Sequence, residues 1–177
     1  MAENDSVVPH YSEEEIAERV RLVGESIRSD AGSTPLILIA ILKGSTVLLA
    51  DLLRAIPGSV SYQFVDVIMG VADTEIAEAR QLNFLTHFDM EGKNVYLLKD
   101  VVSTGVIESY LVSQFRQKRP AALKLVALLD RPGLRTVDLQ VDFRVFDVGS
   151  GTFVGYGLEY GGEYGNLPFI GTIEKRG

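Results

Sequence analysis

The stretch NVYLLKDVVSTGVIESYLVSQF, residues 94–115, decides the fold. An apolar run over residues 95–98 breaks into a short loop over residues 99–105, and the apolar residues that follow recur at helical spacing. The stretch therefore predicts a strand, a tight loop and a helix. In open α/β sheets, ligands bind outside the carboxyl ends of strands, where a helix N-terminus presents free N–H groups. We expect the active site at this loop.

A second unit of the same kind precedes it. Residues 36–42 are almost wholly apolar, Lys43, Gly44 and Ser45 form the next loop, and residues 46–56 resume a helical pattern. A strand that is apolar on both faces is typical of parallel sheets. The loop would lie on the same rim of the sheet as residues 99–105.

The rest of the chain continues the alternation of helices and strands. Ser12 and Glu15 match a capping box at the start of a helix over residues 13–29. Further strands are predicted over residues 59–68, 123–129, 141–148, 153–157 and 169–173. The pattern predicts one α/β domain over residues 1–177, with a mainly parallel sheet and a small strand-rich addition.

Two segments lack a regular pattern. Residues 1–10 are polar and are predicted to be a loose N-terminal arm. Residues 69–91 are acidic and mixed, with a weak helical pattern over residues 74–82, and are predicted to be an excursion or mobile flap.

Composition limits the class of protein. The chain has 177 residues, no cysteine and a formal net charge of -7, and its pI is near 4.9. Such a surface argues against binding nucleic acid or an anionic membrane, because both require clustered Lys and Arg. The longest apolar stretch, residues 35–42, is far shorter than the roughly 20 residues of a membrane helix. We expect a soluble cytoplasmic protein.

Two loops have the chemistry of anion sites. In Ser103-Thr104-Gly105, glycine allows close backbone approach, Thr104 supplies a hydroxyl, and the following helix supplies free N–H groups. This combination suits a phosphate, although an ordinary loop with a helix cap has the same residues. Lys43 could meet a second anion, or it could be a solvated lysine in a turn.

Five motifs in order resemble the hypoxanthine-guanine phosphoribosyltransferases. They are LKGS at 42–45, STG at 103–105, LLDRP at 128–132, FVGYGLEY at 153–160 and NLPFIG at 166–171. The resemblance extends from the first helix to Ile173. It implies a type I phosphoribosyltransferase fold: a mainly parallel sheet flanked by helices, with a small hood formed by the strand-rich C-terminal part.

The resemblance also implies an activity. In this family a 6-oxopurine such as hypoxanthine or guanine displaces pyrophosphate from phosphoribosyl pyrophosphate in nucleotide salvage, with Mg²⁺ as cofactor. The implied partners are these small molecules or a purine nucleotide. Relatives are commonly dimers or tetramers, so a homo-oligomer is expected.

By position in the motifs, the resemblance assigns the site residues. Lys43, Gly44 and Ser45 match the pyrophosphate loop. The loop that holds the ribose and the 5′-phosphate is matched by Asp100, Ser103, Thr104, Gly105, Val106 and Ile107. Arg131 matches the residue that reads the 6-oxo group, Phe153 or Val154 falls in the segment that packs on the base, and Glu159 matches the acid near base and metal.

Several positions depart from the family pattern. The ribose loop of the family begins with two adjacent acids, and the first of them is replaced by Lys99. The third acid of that loop, the candidate base toward the purine nitrogen, is replaced by Ser103. A serine hydroxyl accepts a proton poorly at neutral pH. Both changes affect the catalytic side chains.

Further departures lie around the same site. Val106 and Ile107 replace a polar residue and a threonine, and Glu108 follows them. The Ser-Tyr pair of the flap is replaced by residues 69–73. Gly165 stands where an arginine toward pyrophosphate is expected, and Thr152 stands where an aromatic is usual, unless Phe153 takes that role.

The sequence leaves two hypotheses open. The first is a purine phosphoribosyltransferase with impaired or altered catalysis, in which Asp100 and Ser103 occupy the catalytic positions. The alternative is a catalytically inactive nucleotide-binding, regulatory or assembly protein on the same fold. Substituting several catalytic groups that act together favours a changed or absent reaction.

Overall fold

A computed structural model describes residues 5–69, 80–84 and 88–175 of the chain. Within these residues a six-stranded sheet forms the centre of the molecule. Its strands, in spatial order, are β4 (Arg80–Phe84), β3 (Ser61–Met69), β2 (Leu36–Ile41), β5 (Asn94–Val102), β6 (Ala122–Asp130) and β7 (Phe143–Asp147). β4 runs antiparallel beside β3 and the other neighbours are parallel. The predicted mainly parallel sheet is confirmed.

Helices cover both faces of this sheet. α1 (Glu13–Ala31) and α2 (Thr46–Ala55) pack on one face, and α3 (Val106–Arg116) packs on the other. The capping box at the start of α1 is present: Glu15 N donates to Ser12 Oγ at 3.2 Å, and Ser12 N donates to Glu15 Oε2 at 2.8 Å. Among the described residues, no helix is long and apolar enough to span a membrane.

Burial on both faces explains the apolar run in β2. All six of its residues are buried. Leu36, Leu38 and Ala40 join the cluster under α1 and α2, whereas Ile37 and its alternate neighbours join the cluster under α3. Because β2, β5 and β6 are parallel, their carboxyl ends lie on one rim of the sheet.

A second, three-stranded antiparallel sheet forms the hood among the described residues. It contains β1 (Asp5–Tyr11), β9 (Ile170–Lys175) and β8 (Phe153–Val154), with β9 in the middle. The predicted loose arm over residues 1–10 is therefore wrong for residues 5–10, which pair with β9. The pairing partner comes from the other end of the chain, which a local pattern does not show. Residues 1–4 lie outside the described residues.

Two other predictions need correction. β5 continues to Val102, so Lys99 and Asp100 end a strand and do not begin a loop. The weak helical pattern over residues 74–82 fails at residues 80–82, which belong to β4 and pair with β3. Of the predicted flap over residues 69–91, Met69 ends β3, whereas residues 70–79 and 85–87 lie outside the described residues.

The stability of the hood depends on Gly155. Its φ is +92°, and a Cβ built there would clash with the carbonyl oxygen of Phe169. We expect Gly155→Ala to lower the free energy of unfolding by about 3 kcal/mol, because it adds both backbone strain and a steric clash. Urea unfolding followed by circular dichroism measures the loss.

Gly149→Ala is the matched control, because a Cβ at Gly149 meets nothing within 4 Å. Its effect is expected to stay within about 1 kcal/mol. Equal stabilities of the two variants would contradict the close approach of Gly155 to Phe169.

Candidate functional site

Loops from three parallel strands and one turn of the hood meet at the carboxyl rim. A Cβ built on Gly157 in the hood would lie 2.7 Å from the Gly44 carbonyl oxygen, so the hood packs directly on the loop after β2. The Leu42–Lys43 peptide bond in this loop is cis. The loop after β2 also lies beside the end of β5, because a Cβ built on Gly44 would meet the Asp100 side chain.

The structure brings Lys43 and Glu159 together across 116 positions of sequence. Lys43 Nζ lies 2.8 Å from Glu159 Oε2. The Lys43 side chain is 76% exposed, and exposed ion pairs contribute little net stability. An anionic ligand can therefore compete with Glu159 for this ammonium group.

Asp100 is enclosed by its neighbours. A Cβ at Gly44 would clash with Asp100 Oδ2, so any other residue there would displace the Asp100 carboxylate. Asp100 Oδ1 accepts a hydrogen bond from Val101 N at 2.8 Å and forms an ion pair with Lys99 Nζ. The Lys99 and Asp100 side chains are only 19% and 22% exposed. Lys99 thus neutralises the remaining acid of the ribose loop.

Ser45 lies at the predicted pyrophosphate loop but faces inward. The residue is fully buried, and its hydroxyl donates to the Ile41 carbonyl at 2.5 Å. Thr46 Oγ1 donates to the Lys43 carbonyl at 2.7 Å. These bonds shape the loop, so the Ser45 hydroxyl is committed to structure and not to a ligand.

The loop after β5 forms a cradle made of backbone. Gly105 has φ +81° and precedes α3, and a Cβ there would lie 2.9 Å from the Arg135 and Leu139 side chains. The first N–H groups of an α-helix have no partner within the helix, which leaves those of Val106 and Ile107 for an anion. The Ile107 side chain packs against the cluster under α3, so its backbone alone serves the cradle.

Arg135 supports this cradle, and the sequence analysis missed it. Arg135 Nη1 donates to the Ser103 carbonyl at 2.7 Å, and Nη2 donates to buried Asp130 Oδ1 at 2.5 Å. Thr136 N donates to the Thr104 carbonyl at 3.1 Å. The available signal was the turn at Arg131, which continues as a 3₁₀ helix over Pro132–Leu134 and returns Arg135 to the rim.

Arg131 has a donor without a partner. Its Nε is buried and makes no hydrogen bond to the part of the chain that the structure describes. Arg131 lines a cavity of about 330 Å³ formed by residues 131–134 and 147–150. A buried unsatisfied donor is costly, so a movement of the Arg131 side chain that brings Nε to an acceptor atom of a ligand in this cavity would be favoured.

Glu108 is a buried acid at the start of α3. It is 4% exposed, and burial raises the pKa of its carboxyl. Its own backbone N–H, Lys99 and Arg135 oppose this shift in pKa, whereas Asp100 adds to it. The carboxylate accepts a hydrogen bond from its own backbone N–H in the first turn of α3, so it lies beside the anion cradle although the residue is buried.

The hood holds the remaining predicted residues. Val154 is fully buried, and Phe153 is partly buried with its ring 5.9 Å from that of His10. A Cβ on Gly165 would lie 2.9 Å from Glu159 Cγ. An arginine at Gly165 would therefore have to displace Glu159 from its present position.

At Asp100 the described site does not fit Mg²⁺. This ion prefers carboxylate and phosphate oxygens, and Asp100 already holds Lys99 in a pair that is largely buried. Glu159 holds Lys43 in an exposed pair that a ligand can exchange. No group of three or more His, Cys, Asp or Glu in residues 5–69, 80–84 and 88–175 is arranged to hold a metal. Among the described residues, Glu159 therefore belongs to no group of three such ligands.

Comparison with known proteins places this geometry in a family. The model of the phosphoribosyl transferase domain matches residues 11–160. The hypoxanthine-guanine phosphoribosyltransferase of Bacillus subtilis (strain 168) is 35% identical over 164 residues, covering 92% of this chain and 91% of that protein.

Solved structures of phosphoribosyltransferases resemble the fold of this chain. A hypoxanthine-guanine phosphoribosyltransferase from Bacillus anthracis, with HEPES in its active site, superposes with a TM-score of 0.86 at 31% identity, covering 97% of this chain and 100% of that one. The hypoxanthine phosphoribosyltransferase of Trypanosoma cruzi gives a TM-score of 0.86 at 30% identity, covering 98% of this chain and 94% of that one.

The burial of Glu108 has a measurable consequence. A raised pKa means that ionised Glu108 is disfavoured in the folded state, so its contribution to stability is lost as pH rises through that pKa. We expect Glu108→Gln to raise Tm by about 2–4 °C near pH 8, the shift that 1 kcal/mol produces in a chain of this size. The gain disappears near pH 4, where the native carboxyl is protonated.

Thermal unfolding across this pH range measures the effect, with exposed Glu174→Gln as the charge-matched control. A lower Tm for Glu108→Gln near pH 8 would show that attraction to Lys99 and Arg135 outweighs desolvation.

Proposed function

Because the chain belongs to the hypoxanthine-guanine phosphoribosyltransferase family, we propose that it binds phosphoribosyl pyrophosphate and a 6-oxopurine at the carboxyl rim and joins them slowly. The observation that carries this proposal is the unpartnered Arg131 Nε beside an open cavity. A guanidinium in that position is suited to donate to the 6-oxo group of a purine. A carbonyl oxygen there would satisfy the buried donor.

The phosphates are assigned to the two loops. The N–H groups at the start of α3 and the exposed Thr104 hydroxyl receive the 5′-phosphate. Lys43 and the backbone of Gly44 receive the pyrophosphate, with Lys43 exchanging Glu159 for the ligand. Phe153 and Val154 form the segment proposed to pack on the base.

The proposed reaction exchanges one bond at the ribose. A purine ring nitrogen forms a bond to C1 of the ribose, the bond from C1 to the pyrophosphate oxygen breaks, and pyrophosphate leaves with the electron pair. Asp100 stabilises the positive charge that develops on the ribose. The proton of the purine nitrogen passes to water, because Ser103 supplies a hydroxyl and not a carboxylate.

The reaction is expected to be slow because Ser103 stands where the family pattern has a general base. A positioned general acid or base contributes typically about 10²–10⁴-fold to a reaction. Lys99 further reduces the negative charge that Asp100 presents to the ribose, because the two side chains form an ion pair. The lack of a general base and the reduced charge of Asp100 both slow phosphoribosyl transfer. Neither effect removes the groups that bind the ligand.

One observation favours a second candidate function, nucleotide binding without turnover. Both acids that the resemblance places at the reacting groups, Asp100 and Glu159, are ion-paired with lysines. The cradle after β5 is made of backbone and keeps its donors. Such a site senses a purine nucleotide and does not make one.

Restoring the acids tests the catalytic assignment. We expect Lys99→Glu combined with Ser103→Asp to raise kcat for hypoxanthine or guanine by about 10²-fold or more, because it supplies a proton acceptor. Nucleotide formation from phosphoribosyl pyrophosphate and Mg²⁺ is measured under steady-state conditions, with xanthine as a third base.

The matched control combines Lys99→Glu with Ser103→Asn, which has the shape of the aspartate without its basicity. Equal rates for the two double variants would contradict a base role at position 103. If the unaltered protein binds purine monophosphates but forms no nucleotide at high enzyme concentration, the second candidate stands in place of the first.

The base-reading role of Arg131 is tested by binding. We expect Arg131→Met to weaken inosine monophosphate binding about tenfold, which corresponds to one lost hydrogen bond from a charged donor. Titration calorimetry measures the affinity, and ribose 5-phosphate serves as the control ligand because it lacks the base. An equal loss for both ligands would assign Arg131 to the phosphate and not to the purine.

A further inference from the structure

The ion pair at the end of β5 supplies a fixed cation where the family resemblance implies a metal. We propose that this site binds phosphoribosyl pyrophosphate without a divalent metal ion, with the Lys99 ammonium group taking the place of the cation. The inference rests on the proposed function. It adds that the positive charge beside the ribose and pyrophosphate belongs to Lys99.

The position of Lys99 supports this assignment. Its Nζ lies on Asp100 Oδ1, and the other oxygen of the same carboxylate abuts Gly44 in the pyrophosphate loop. The Asp100 carboxylate therefore contacts both the Lys99 ammonium group and the loop that is proposed to hold pyrophosphate. At 19% exposure the side chain is partly removed from water, which strengthens its interaction with an anion.

The acids of the rim are already engaged. Asp100 holds Lys99 in a largely buried pair, and buried Asp130 holds Arg135 at 2.5 Å and Arg144 at 3.4 Å. Mg²⁺ on the other oxygen of Asp100 would lie close to the ammonium group that Oδ1 already holds. Two cations on one carboxylate repel each other, and partial burial strengthens that repulsion.

The charge of the ribose loop is conserved by the substitution. Two adjacent carboxylates and one divalent cation sum to zero, and the Lys99–Asp100 pair also sums to zero. A lysine ammonium group has three N–H donors, and the bond to Asp100 Oδ1 uses one of them. Lys99 also interacts with buried Glu108, and we assign its remaining N–H donors to oxygen atoms of the ligand, which a bound cation would otherwise coordinate.

Titration calorimetry with phosphoribosyl pyrophosphate tests the proposal. The ligand is titrated into the full chain in excess Mg²⁺ and, separately, in EDTA. We expect the two Kd values of the unaltered protein to agree within about threefold. Lys99→Gln is expected to weaken binding about tenfold in both conditions, because a charge-assisted donor is lost.

Lys99→Glu provides the converse experiment. It places two acids side by side, which is a donor set that Mg²⁺ accepts. We expect this variant to bind the ligand at least about tenfold more tightly in Mg²⁺ than in EDTA. Lys118→Gln, on an exposed residue after α3, is the control for a lost lysine, and circular dichroism confirms that each variant is folded.

The outcomes separate this inference from the proposed function. Binding by the unaltered protein that is tenfold weaker in EDTA would overturn the role of Lys99 and leave the proposed function intact, since the ligand is bound. Equal Kd values for Lys99→Gln and the unaltered protein would also overturn it. An absence of heat in both conditions would overturn the proposed function and this inference together.

Discussion

Burial of the central strands on both faces is the constraint on which the structure depends. β2, β5 and β6 contribute side chains to the cluster under α1 and α2 and, at alternate positions, to the cluster under α3. Strands buried in this way pair in parallel and are joined by helices that cover the faces. Their carboxyl ends must then share one rim, and Lys43, Asp100 and Arg131 all follow from that placement.

At the rim, Glu159, Asp100 and Asp130 each pair with a lysine or arginine side chain. Each of these partners comes from a different part of the chain. Glu159 meets Lys43 because the hood turn at Gly157 packs on the loop after β2. Asp100 meets its own sequence neighbour Lys99, and Asp130 meets Arg135 after one 3₁₀ turn. The result is a rim whose carboxylates are neutralised, while the backbone donors and Arg131 Nε are left for a ligand.

The sequence predicted what local patterns encode. The two strand–loop–helix units, the mainly parallel sheet and the capping box at Ser12 were confirmed. β1 was missed because its edge is completed by β9, more than 150 residues away. Lys99 and Asp100 were assigned to a loop because they are polar, although β5 extends past the apolar core to the rim.

Side-chain direction was the other property that sequence could not supply. Ser45 was predicted to belong to the pyrophosphate loop, and Glu108 follows the predicted phosphate loop in sequence, yet both residues are buried. Ser45 donates to the Ile41 carbonyl at the end of β2, and Glu108 accepts from its own backbone N–H in the first turn of α3. Arg135 was missed because no sequence motif marks it. Its contacts at the rim depend on the geometry of the 3₁₀ turn that precedes it.

The positions at which the sequence differs from the motif pattern expected of the family are physically connected in the structure. A glycine at 165 leaves room for Glu159 beside Lys43, because any Cβ there would crowd Glu159 Cγ. The loss of an arginine at that position and the Lys43–Glu159 pair are therefore one structural change. Likewise, Lys99 stands where the family pattern has the first of two acids, and it pairs with the second, Asp100. Backbone N–H groups are unaffected by such substitutions, so the anion cradle after β5 persists while the side-chain chemistry above it has changed.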